Sequence, residues 1–268
     1  MKKKKPGLLA ASIAIGLFLS LAVSYIEPRL DELRVTVIDV GQGQSILIQN
    51  RGNYYLVDCG GDDPETAADT VSQTLLSQGI FRLDGVFVTH YDSDHVGGIG
   101  YLLGRIKTDS LYLPDIADES GVMEKLKEDF DQSVEIISNK LELNGDWGKL
   151  TAIPGDKNGD ENENSMCILF QAENCDILIT GDRDGSGERK LLKAVDLPEL
   201  ELLVVGHHGA KTATSFELLS ATSPQTAVIS VGEDNFYGHP SPDVLKRLEM
   251  FGCRILRTDL KGTIVFRR

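Results

Sequence analysis

Two histidines and two aspartates stand within six positions after an apolar segment, and this spacing constrains the fold more than any other feature. Residues 85–89 are predicted to form a buried strand, and HYDSDHVGG follows from position 90. Because side chains alternate along extended chain, His90 and Asp92 can point the same way, and a turn can bring Asp94 and His95 back toward them. Without a cation, groups packed this tightly would repel each other or lack partners. The cluster therefore predicts a metal site.

The other three histidines and a further aspartate also fall at or near the ends of predicted strands. His207 and His208 follow the apolar residues 202–205, Asp182 ends the strand in LITGD, and His239 stands in NFYGHP. Taken singly, His208 could be a structural partner and His239 a turn residue. Because sites on layered α/β folds collect at strand ends, we expect all four to join the cluster.

Short aliphatic runs alternate with turns and amphipathic helices along the rest of the chain. The predicted strands are 34–39, 45–49, 54–58, 85–89, 166–171, 177–180, 202–205, 227–230, 254–256 and 263–267. The predicted helices are 66–78, 122–130, 188–194, 216–220 and 242–251. A meander followed by strand–helix units predicts two sheets with helices outside.

The charge of the chain limits how it can bind a polyanion. The sequence has 268 residues and a net charge of −14, which disfavours a general nucleic-acid binder attracted by the field of the whole protein. Residues 115–163 carry 14 acidic and 5 basic side chains. We expect this segment to be a solvated helix and loop that a polyanion avoids.

The N-terminus is predicted to contact a membrane. Lysines occupy positions 2–5, and residues 6–26 are uncharged and long enough to span a bilayer as a helix. Ala22 and Ser24 leave a cleaved signal peptide open as the alternative. Positive charge stays in the cytoplasm, so in either case the rest of the chain is expected outside it, anchored or secreted.

The four cysteines form no metal-binding pair or dense disulfide framework. Cys167 and Cys175 could form a disulfide across a hairpin, and buried free thiols are the equal alternative.

Five motifs together resemble those of a known superfamily. HYDSDHVGG, VDCGG, LITGD, HHGAKTATS and NFYGHP resemble the metallo-β-lactamase fold superfamily and, more narrowly, the extracytoplasmic nuclease-like domain of ComEC-type competence DNA-uptake proteins. The resemblance implies an α/β fold with a four-layer αββα sandwich. One hydrolase domain would cover residues 33–268, and residues 1–27 would be the membrane anchor or signal segment.

The resemblance also implies two divalent metal ions at one edge of the sheets. It assigns His90 and Asp92 to one ion, Asp94 and His95 to the other, and Asp182 to a bridge between them. One of His207 and His208 would complete the second site, with His207 preferred. Asp58 in VDCGG would not bind the metal itself but would orient one of the metal-ligating side chains.

Roles toward the substrate are implied for a second set of residues. Asp94 and His239 would be catalytic, His239 by holding a substrate oxygen or donating a proton. A phosphate could be held by Lys211, Thr212, Thr214 and Ser215. Helix capping by Thr214 explains part of that motif equally well.

The chain departs from the wider superfamily pattern at two places and from the narrower ComEC-type pattern at Ala210. Asp92 stands where the commoner pattern has histidine, and Asn164 and Ser165 stand where a further ligand histidine is usual. Ala210 replaces a serine that is usual after HHG. Oxygen ligands shift the preference toward Mn²⁺ or Mg²⁺, and Zn²⁺ remains compatible.

These observations predict a membrane-anchored, extracytoplasmic metal-dependent hydrolase. The leading hypothesis is a phosphodiesterase or nuclease that acts on DNA with a metal-activated water. One alternative is hydrolysis of a small or cell-surface phosphodiester, a lactone or a thioester. The other is a noncatalytic surface module that keeps metal for its structure. The sequence identifies no protein partner.

Overall fold

The computed structural model describes residues 11–20, 33–157 and 162–268. Residues 11–20 are helical, and the rest of the proposed membrane segment lies outside the described residues. Within the described ranges, no helix is both long enough and apolar enough to cross a bilayer.

The strands, numbered in chain order, are β1 (Arg34–Val37), β2 (Ile46–Asn50), β3 (Asn53–Val57), β4 (Arg82–Leu83), β5 (Gly85–Phe87), β6 (Lys107–Thr108), β7 (Ser110–Pro114), β8 (Ser133–Ile137), β9 (Leu141–Gly145), β10 (Gly148–Ile153), β11 (Cys167–Ala172), β12 (Cys175–Ile179), β13 (Leu202–Val204), β14 (Thr226–Ile229), β15 (Arg254–Arg257) and β16 (Ile264–Arg267). The helices after residue 33 are α1 (Pro64–Ser77), α2 (Ser93–Val96), α3 (Ile99–Leu103), α4 (Val122–Asp129), α5 (Gly185–Ala194), α6 (Phe216–Thr222), α7 (Pro242–Met250) and α8 (Thr258–Lys261).

Two seven-stranded sheets form the centre of the domain. The first sheet has the order β16-β1-β2-β3-β5-β7-β8, and the second has the order β15-β14-β13-β12-β11-β10-β9. Each sheet is antiparallel on one side and parallel on the other, with the change at β3 in the first sheet and at β12 in the second. The strands β4 and β6 form a separate parallel pair.

Alternating side chains give each sheet an inner and an outer apolar face. In β2, Ile46 and Ile48 belong to the core between the sheets, where they join Phe170 and Ile177 of the second sheet. Leu47, between them in sequence, faces the opposite way and packs with the helices. The two sheets therefore pack face to face over a shared core.

Helices cover both outer faces. Helix α1 begins after Asp63, whose side chain accepts a hydrogen bond from the Thr66 N–H, and Pro64 occupies its first turn. Its apolar stripe packs on the first sheet together with α3 and α4, while α5, α6 and α7 pack on the second sheet. The result is the αββα sandwich that the sequence predicted.

One predicted segment has more regular structure than expected. Residues 115–163 were predicted to be a helix and loop, and they do contain α4, but they also contain β8, β9 and β10. Strands β8 and β9 are the outermost strands of the two sheets. Edge strands carry charged side chains that discourage pairing with other chains, and because of this charge the composition alone did not reveal the strands.

The cysteines are free thiols. All four are buried and form no disulfide, so of the two alternatives that the sequence left open the structure has the buried thiols. In the β11–β12 hairpin the residue opposite Cys175 is Ala172, and the Cys167 thiol instead points to the carbonyl of Thr180.

The core between the sheets predicts the cost of removing a large side chain. Phe170 is buried there and stacks on Trp147 with ring centroids 5.8 Å apart. We expect Phe170→Ala to lower the free energy of unfolding by about 3–5 kcal/mol, measured by urea denaturation. Phe81, which is 69% exposed, provides the control, and Phe81→Ala should change it by less than about 0.5 kcal/mol. A similar small loss for both variants would contradict this packing.

Candidate metal centre

The polar residues predicted to form a site converge at the carboxyl ends of four strands. Asp58 follows β3 and His90 follows β5 in the first sheet, while Asp182 follows β12 and His207 and His208 follow β13 in the second. The face-to-face packing of the two sheets brings these strand ends together at one edge.

Asp182 lies at the centre of the site, with its two oxygens shared between four imidazoles. Its Oδ1 is 2.9 Å from Nε2 of His95 and 3.8 Å from Nε2 of His208. Its Oδ2 is 3.5 Å from Nε2 of His207 and 3.9 Å from Nε2 of His90. Asp182 is therefore placed to bridge two ligand positions.

The other two aspartates of the cluster, Asp92 and Asp94, each lie close to one of the histidines around Asp182. Asp92 Oδ2 is 3.5 Å from His90 Nε2, and Asp94 Oδ2 is 3.2 Å from His208 Nε2. These contacts define two sets of donor atoms around Asp182. The first donor group is His90, Asp92 and His207 with Asp182 Oδ2, and the second donor group is Asp94, His95 and His208 with Asp182 Oδ1.

The donor atoms fit divalent metal ions. Nε2 of His90 and Oδ1 of Asp182 are buried and make no hydrogen bond, although other donor atoms lie within 4 Å. A buried polar atom left unpaired costs about 1–3 kcal/mol, which coordination to a cation would remove. The atoms of Asp94, His95 and His208 lie within 4.8 Å of one another, as do those of His90, His95 and Asp182. Imidazole nitrogens and carboxylate oxygens together suit Mn²⁺ and Zn²⁺.

The charges around Asp182 stabilise its ionised form. Burial alone would raise its pKa, but the adjacent His95 and His208 hold the pKa well below its usual value. Burial likewise opposes ionisation of Asp94, and the hydrogen bond with His208 lowers its pKa to about 2. Burial disfavours the imidazolium form of His95, but Asp182 and Asp58 raise its pKa well above normal. Asp182 and Asp94 are therefore anionic at neutral pH.

Asp58 fixes the orientation of His95. Its Oδ2 lies 2.8 Å from His95 Nδ1 and accepts hydrogen bonds from the Gln44 amide at 2.8 Å and the Thr89 hydroxyl at 2.7 Å. Its Oδ1 accepts the Thr89 N–H at 2.8 Å. With Nδ1 facing this carboxylate, His95 presents Nε2 to Asp182. The geometry supports the orienting role that the resemblance implied for Asp58.

The structure places the two adjacent histidines on opposite sides of Asp182. Both have a left-handed backbone, with φ of 50° at His207 and 52° at His208. His208 Nδ1 lies 2.9 Å from the Ser230 carbonyl, which directs Nε2 toward Asp94. The sequence preferred His207 for the second site. The geometry corrects that preference, because His208 lies in the second donor group and His207 in the first.

His239 lies beside the first donor group. Its ring centroid is 5.9 Å from that of His207, and its Nδ1 is buried without a hydrogen bond. Burial, together with the nearby His208 and His207, lowers its pKa. His239 is therefore uncharged at neutral pH, and its imidazole can donate one hydrogen bond to a bound group or accept one from it.

The proposed phosphate-binding loop is already occupied by internal contacts. The backbone N–H groups of Thr214 and Ser215 donate to the carboxylate of buried Glu188. The Ser215 hydroxyl caps α6 by accepting the Leu218 N–H, so the capping residue is Ser215 and not Thr214. These backbone donors are not free to hold a phosphate, whereas the buried Thr214 hydroxyl makes no hydrogen bond.

The remaining residues of that loop face different surroundings. The exposed Lys211 ammonium lies 3.2 Å from Asp243, and the Thr212 carbonyl accepts the Gly185 N–H. Arg247 donates to the carbonyls of Lys211, Ala213 and Thr214. The loop is thus held from both ends by Glu188 and Arg247, neither of which the sequence singled out.

Arg183 is another residue that the sequence analysis missed. Its side chain is buried and donates to the carbonyls of Ser165, Gly187 and Ile153. The Ser165 hydroxyl in turn accepts the N–H of Asp182 at 3.2 Å. Ser165 therefore supports the backbone behind Asp182, at the position where the wider superfamily usually has a ligand histidine.

The segment that carries Asp94 also needs a glycine opposite it. A Cβ atom on Gly60 would lie 2.3 Å from the carbonyl carbon of Asp94, much closer than any non-bonded contact. The Asp94 carbonyl accepts the Gln44 N–H at 2.9 Å on the same side. Gly60, the first glycine of VDCGG, thus allows the loop after β3 to contact the backbone of Asp94.

A family comparison agrees with this fold and site. Residues 38–233 match the family model described as the metallo-beta-lactamase superfamily. The chain therefore belongs to this superfamily and has its metal-dependent hydrolase fold. Among solved structures, the metallo-beta-lactamase fold protein YhfI from Bacillus subtilis aligns with a TM-score of 0.61 at 15% identity, covering 89% of this chain and 100% of that protein. At that identity the likeness concerns the fold alone.

Curated relatives include two proteins with more sequence in common. The chain is 33% identical over 238 residues to the competence protein ComA of Neisseria gonorrhoeae, covering 88% of this chain and 32% of the relative. It is 30% identical over 257 residues to the ComE operon protein 3 of Bacillus subtilis (strain 168), covering 88% and 33%. The chain thus spans about a third of the length of these relatives.

The support of His95 by Asp58 predicts a loss of metal affinity. We expect Asp58→Asn to weaken Mn²⁺ binding about 10–100-fold, because the amide no longer holds the imidazole with a full charge. Isothermal titration calorimetry with Mn²⁺ measures the effect. Glu173→Gln, at an exposed carboxylate, is the control and should bind as the wild type does. Equal affinity in both variants would exclude this role for Asp58.

Proposed function

We propose that this chain is a metal-dependent phosphodiesterase that cleaves DNA on the outer side of the cytoplasmic membrane. The observation that carries the proposal is the buried Asp182 carboxylate between two donor groups, each of which contains two imidazoles and one further carboxylate. Two donor groups that share one carboxylate suit a pair of adjacent metal ions, as two-metal hydrolases use. Membership of the superfamily supports hydrolysis as the class of reaction.

In this proposal the two donor groups hold one divalent ion each. Bound ions would lower the pKa of a water molecule and stabilise negative charge at the attacked phosphorus. Asp92 and Asp94 contribute oxygen atoms, which favours Mn²⁺ or Mg²⁺ more than an all-imidazole site would. Asp58 keeps His95 in position, and His239 holds a substrate oxygen or donates a proton.

The exposure of the donors supports a catalytic site over a structural one. Asp92 is 47% exposed, Asp94 is 32% exposed and His207 is 28% exposed, whereas His90 and His95 are fully buried. One side of the centre therefore opens to solvent. Structural metal sites are closed, while catalytic sites keep an accessible position for substrate.

DNA is the proposed substrate because of the relatives. One of them is named a competence protein, and the motifs resemble a DNA-uptake protein. The net charge of −14 gives little attraction for a long stretch of phosphate backbone, so we propose a short contact around the cleaved bond. A small or cell-surface phosphodiester, a lactone or a thioester is the alternative substrate.

The nuclease proposal predicts metal-dependent cleavage that Asp94 controls. We expect the full chain to cleave labelled single-stranded or double-stranded DNA with Mn²⁺, Zn²⁺ or Mg²⁺. Asp94→Asn should reduce the rate at least about 100-fold, because the second donor group loses a charge that positions the ion. Glu173→Gln should keep the wild-type rate.

Two results would contradict the proposal in different ways. Wild-type protein that binds Mn²⁺ but cleaves neither form of DNA would exclude a nuclease, and activity on bis(4-nitrophenyl) phosphate, a lactone or a thioester would then identify the alternative. Equal cleavage by Asp94→Asn would mean that the activity comes from elsewhere.

The location outside the cytoplasm is a separate part of the proposal. The lysines at positions 2–5 and the uncharged residues 6–26 support an anchor with the domain outside. We expect the full chain to remain with bacterial membranes after an alkaline wash, and a chain lacking residues 6–26 to be released. Protease added to spheroplasts should digest the domain. A domain that stays protected in intact spheroplasts would exclude this orientation.

A further inference from the structure

Two aromatic side chains stand exposed on the loop that carries His239. Phe236 is fully exposed and Tyr237 is 71% exposed, in the segment between β14 and α7. Single exposed aromatic residues are common on protein surfaces and need no explanation. Here two adjacent exposed rings lie on the loop that carries His239, and one of them contacts the His239 ring.

Hydrogen bonds hold the loop in a defined shape. The Asn235 side-chain amide donates to the carbonyls of Gly232 at 3.0 Å and His239 at 2.7 Å. Its Oδ1 accepts the His239 N–H at 3.0 Å. Asn235 therefore closes the base of the loop, and residues 236–238 form a tip that projects from it.

The rings connect this tip to the first donor group. The Tyr237 ring stacks on the His239 ring with centroids 5.8 Å apart and planes inclined by 21°. The His239 ring contacts the His207 ring edge-on at 5.9 Å, and His207 Nε2 is 3.5 Å from Asp182. A ligand that stacks on Tyr237 is thus two ring contacts away from His207.

The charges on the loop disfavour a contact between its tip and a phosphate backbone. The loop carries the exposed acidic residues Glu233 and Asp234 and no lysine or arginine between residues 232 and 241. Binding of a nucleic-acid backbone depends on lysine and arginine. Stacking of a base on an aromatic ring needs no cation and tolerates any base, since every base has a flat π-face.

We propose that Phe236 and Tyr237 form a stacking platform for unpaired bases of single-stranded nucleic acid next to the phosphodiester at the metal centre. This inference rests on the proposed phosphodiesterase function. In a duplex the base faces are stacked on their neighbours and cannot reach the rings. The platform therefore makes the protein prefer single strands, and it supplies attraction that the acidic surface does not.

The test compares a normal strand with a strand that has no bases. The full chain is given Mn²⁺ and either a labelled single-stranded oligonucleotide or a chain of equal length made of abasic tetrahydrofuran units. We expect the Phe236→Ala, Tyr237→Ala double variant to lose about 10–100-fold in kcat/KM on the normal strand, the size of a stacking contribution. On the abasic strand it should match the wild type within about twofold.

Two further variants separate stacking from other effects. Phe236→Trp keeps a stacking ring and should retain activity on the normal strand. Phe81→Ala removes an equally exposed ring that precedes β4 and β5, away from the strand ends that form the site, and should behave as the wild type does on both strands. Equal losses on both strands, or no loss on either, would overturn the platform.

A binding measurement distinguishes failure of the platform from failure of the proposed function. If the wild type cleaves neither strand, the phosphodiesterase proposal fails on this substrate. Fluorescence anisotropy then measures binding of the two strands to the Mn²⁺-loaded protein. Tighter binding of the normal strand that disappears in the double variant would uphold the platform, and equal binding of the two strands, or none, would overturn it.

Discussion

A buried carboxylate shared between imidazoles from both sheets is the interaction on which the site depends. Asp182 arrives from the second sheet and meets His90 and His95 from the first, so the site exists only when the sheets are closed on each other. Burying this charge is costly and must be offset by partners. Because Oδ1 of Asp182 and Nε2 of His90 make no hydrogen bond, a bound cation would supply much of that offset. Metal binding would then be coupled to the stability of the closed domain.

The backbone is unusual where the ligands and their supports are. Asp58, His207 and His208 all have positive φ values, which are uncommon for residues other than glycine. At each of these positions the conformation lets one side chain turn from its strand end into the space between the sheets. The hydrogen bonds of Asp58 with Gln44 and Thr89, and of His208 with Ser230, hold these conformations in place. Strain of this kind concentrates at functional sites, where surrounding contacts compensate for it.

The sequence predicted the parts of the molecule that depend on local spacing. The ligand cluster after β5, most strands, most helices and the layered αββα fold followed from residues close in sequence or from the resemblance of their motifs. The residues that support the site could not be predicted in this way. Arg183, Glu188 and Arg247 form hydrogen bonds with backbone groups that are distant in sequence. A charged side chain that binds a distant carbonyl or N–H leaves no period or motif. For the same reason the sequence did not show which of His207 and His208 lies in the second donor group. The orientation of the His208 ring depends on the distant carbonyl of Ser230.

Strand β16 lies at the edge of the first sheet and pairs there with β1, which is distant in sequence. Strand β16 pairs with β1 along its whole length, from Arg267 opposite Arg34 to Ile264 opposite Val37, and the Arg268 N–H donates to the Leu33 carbonyl. During synthesis from the N-terminus, β1 is made more than 200 residues before its outer partner. Until then one side of β1 presents open hydrogen-bonding groups, a surface that invites pairing with other chains. The nascent protein therefore remains prone to aggregation until β16 emerges and pairs with β1.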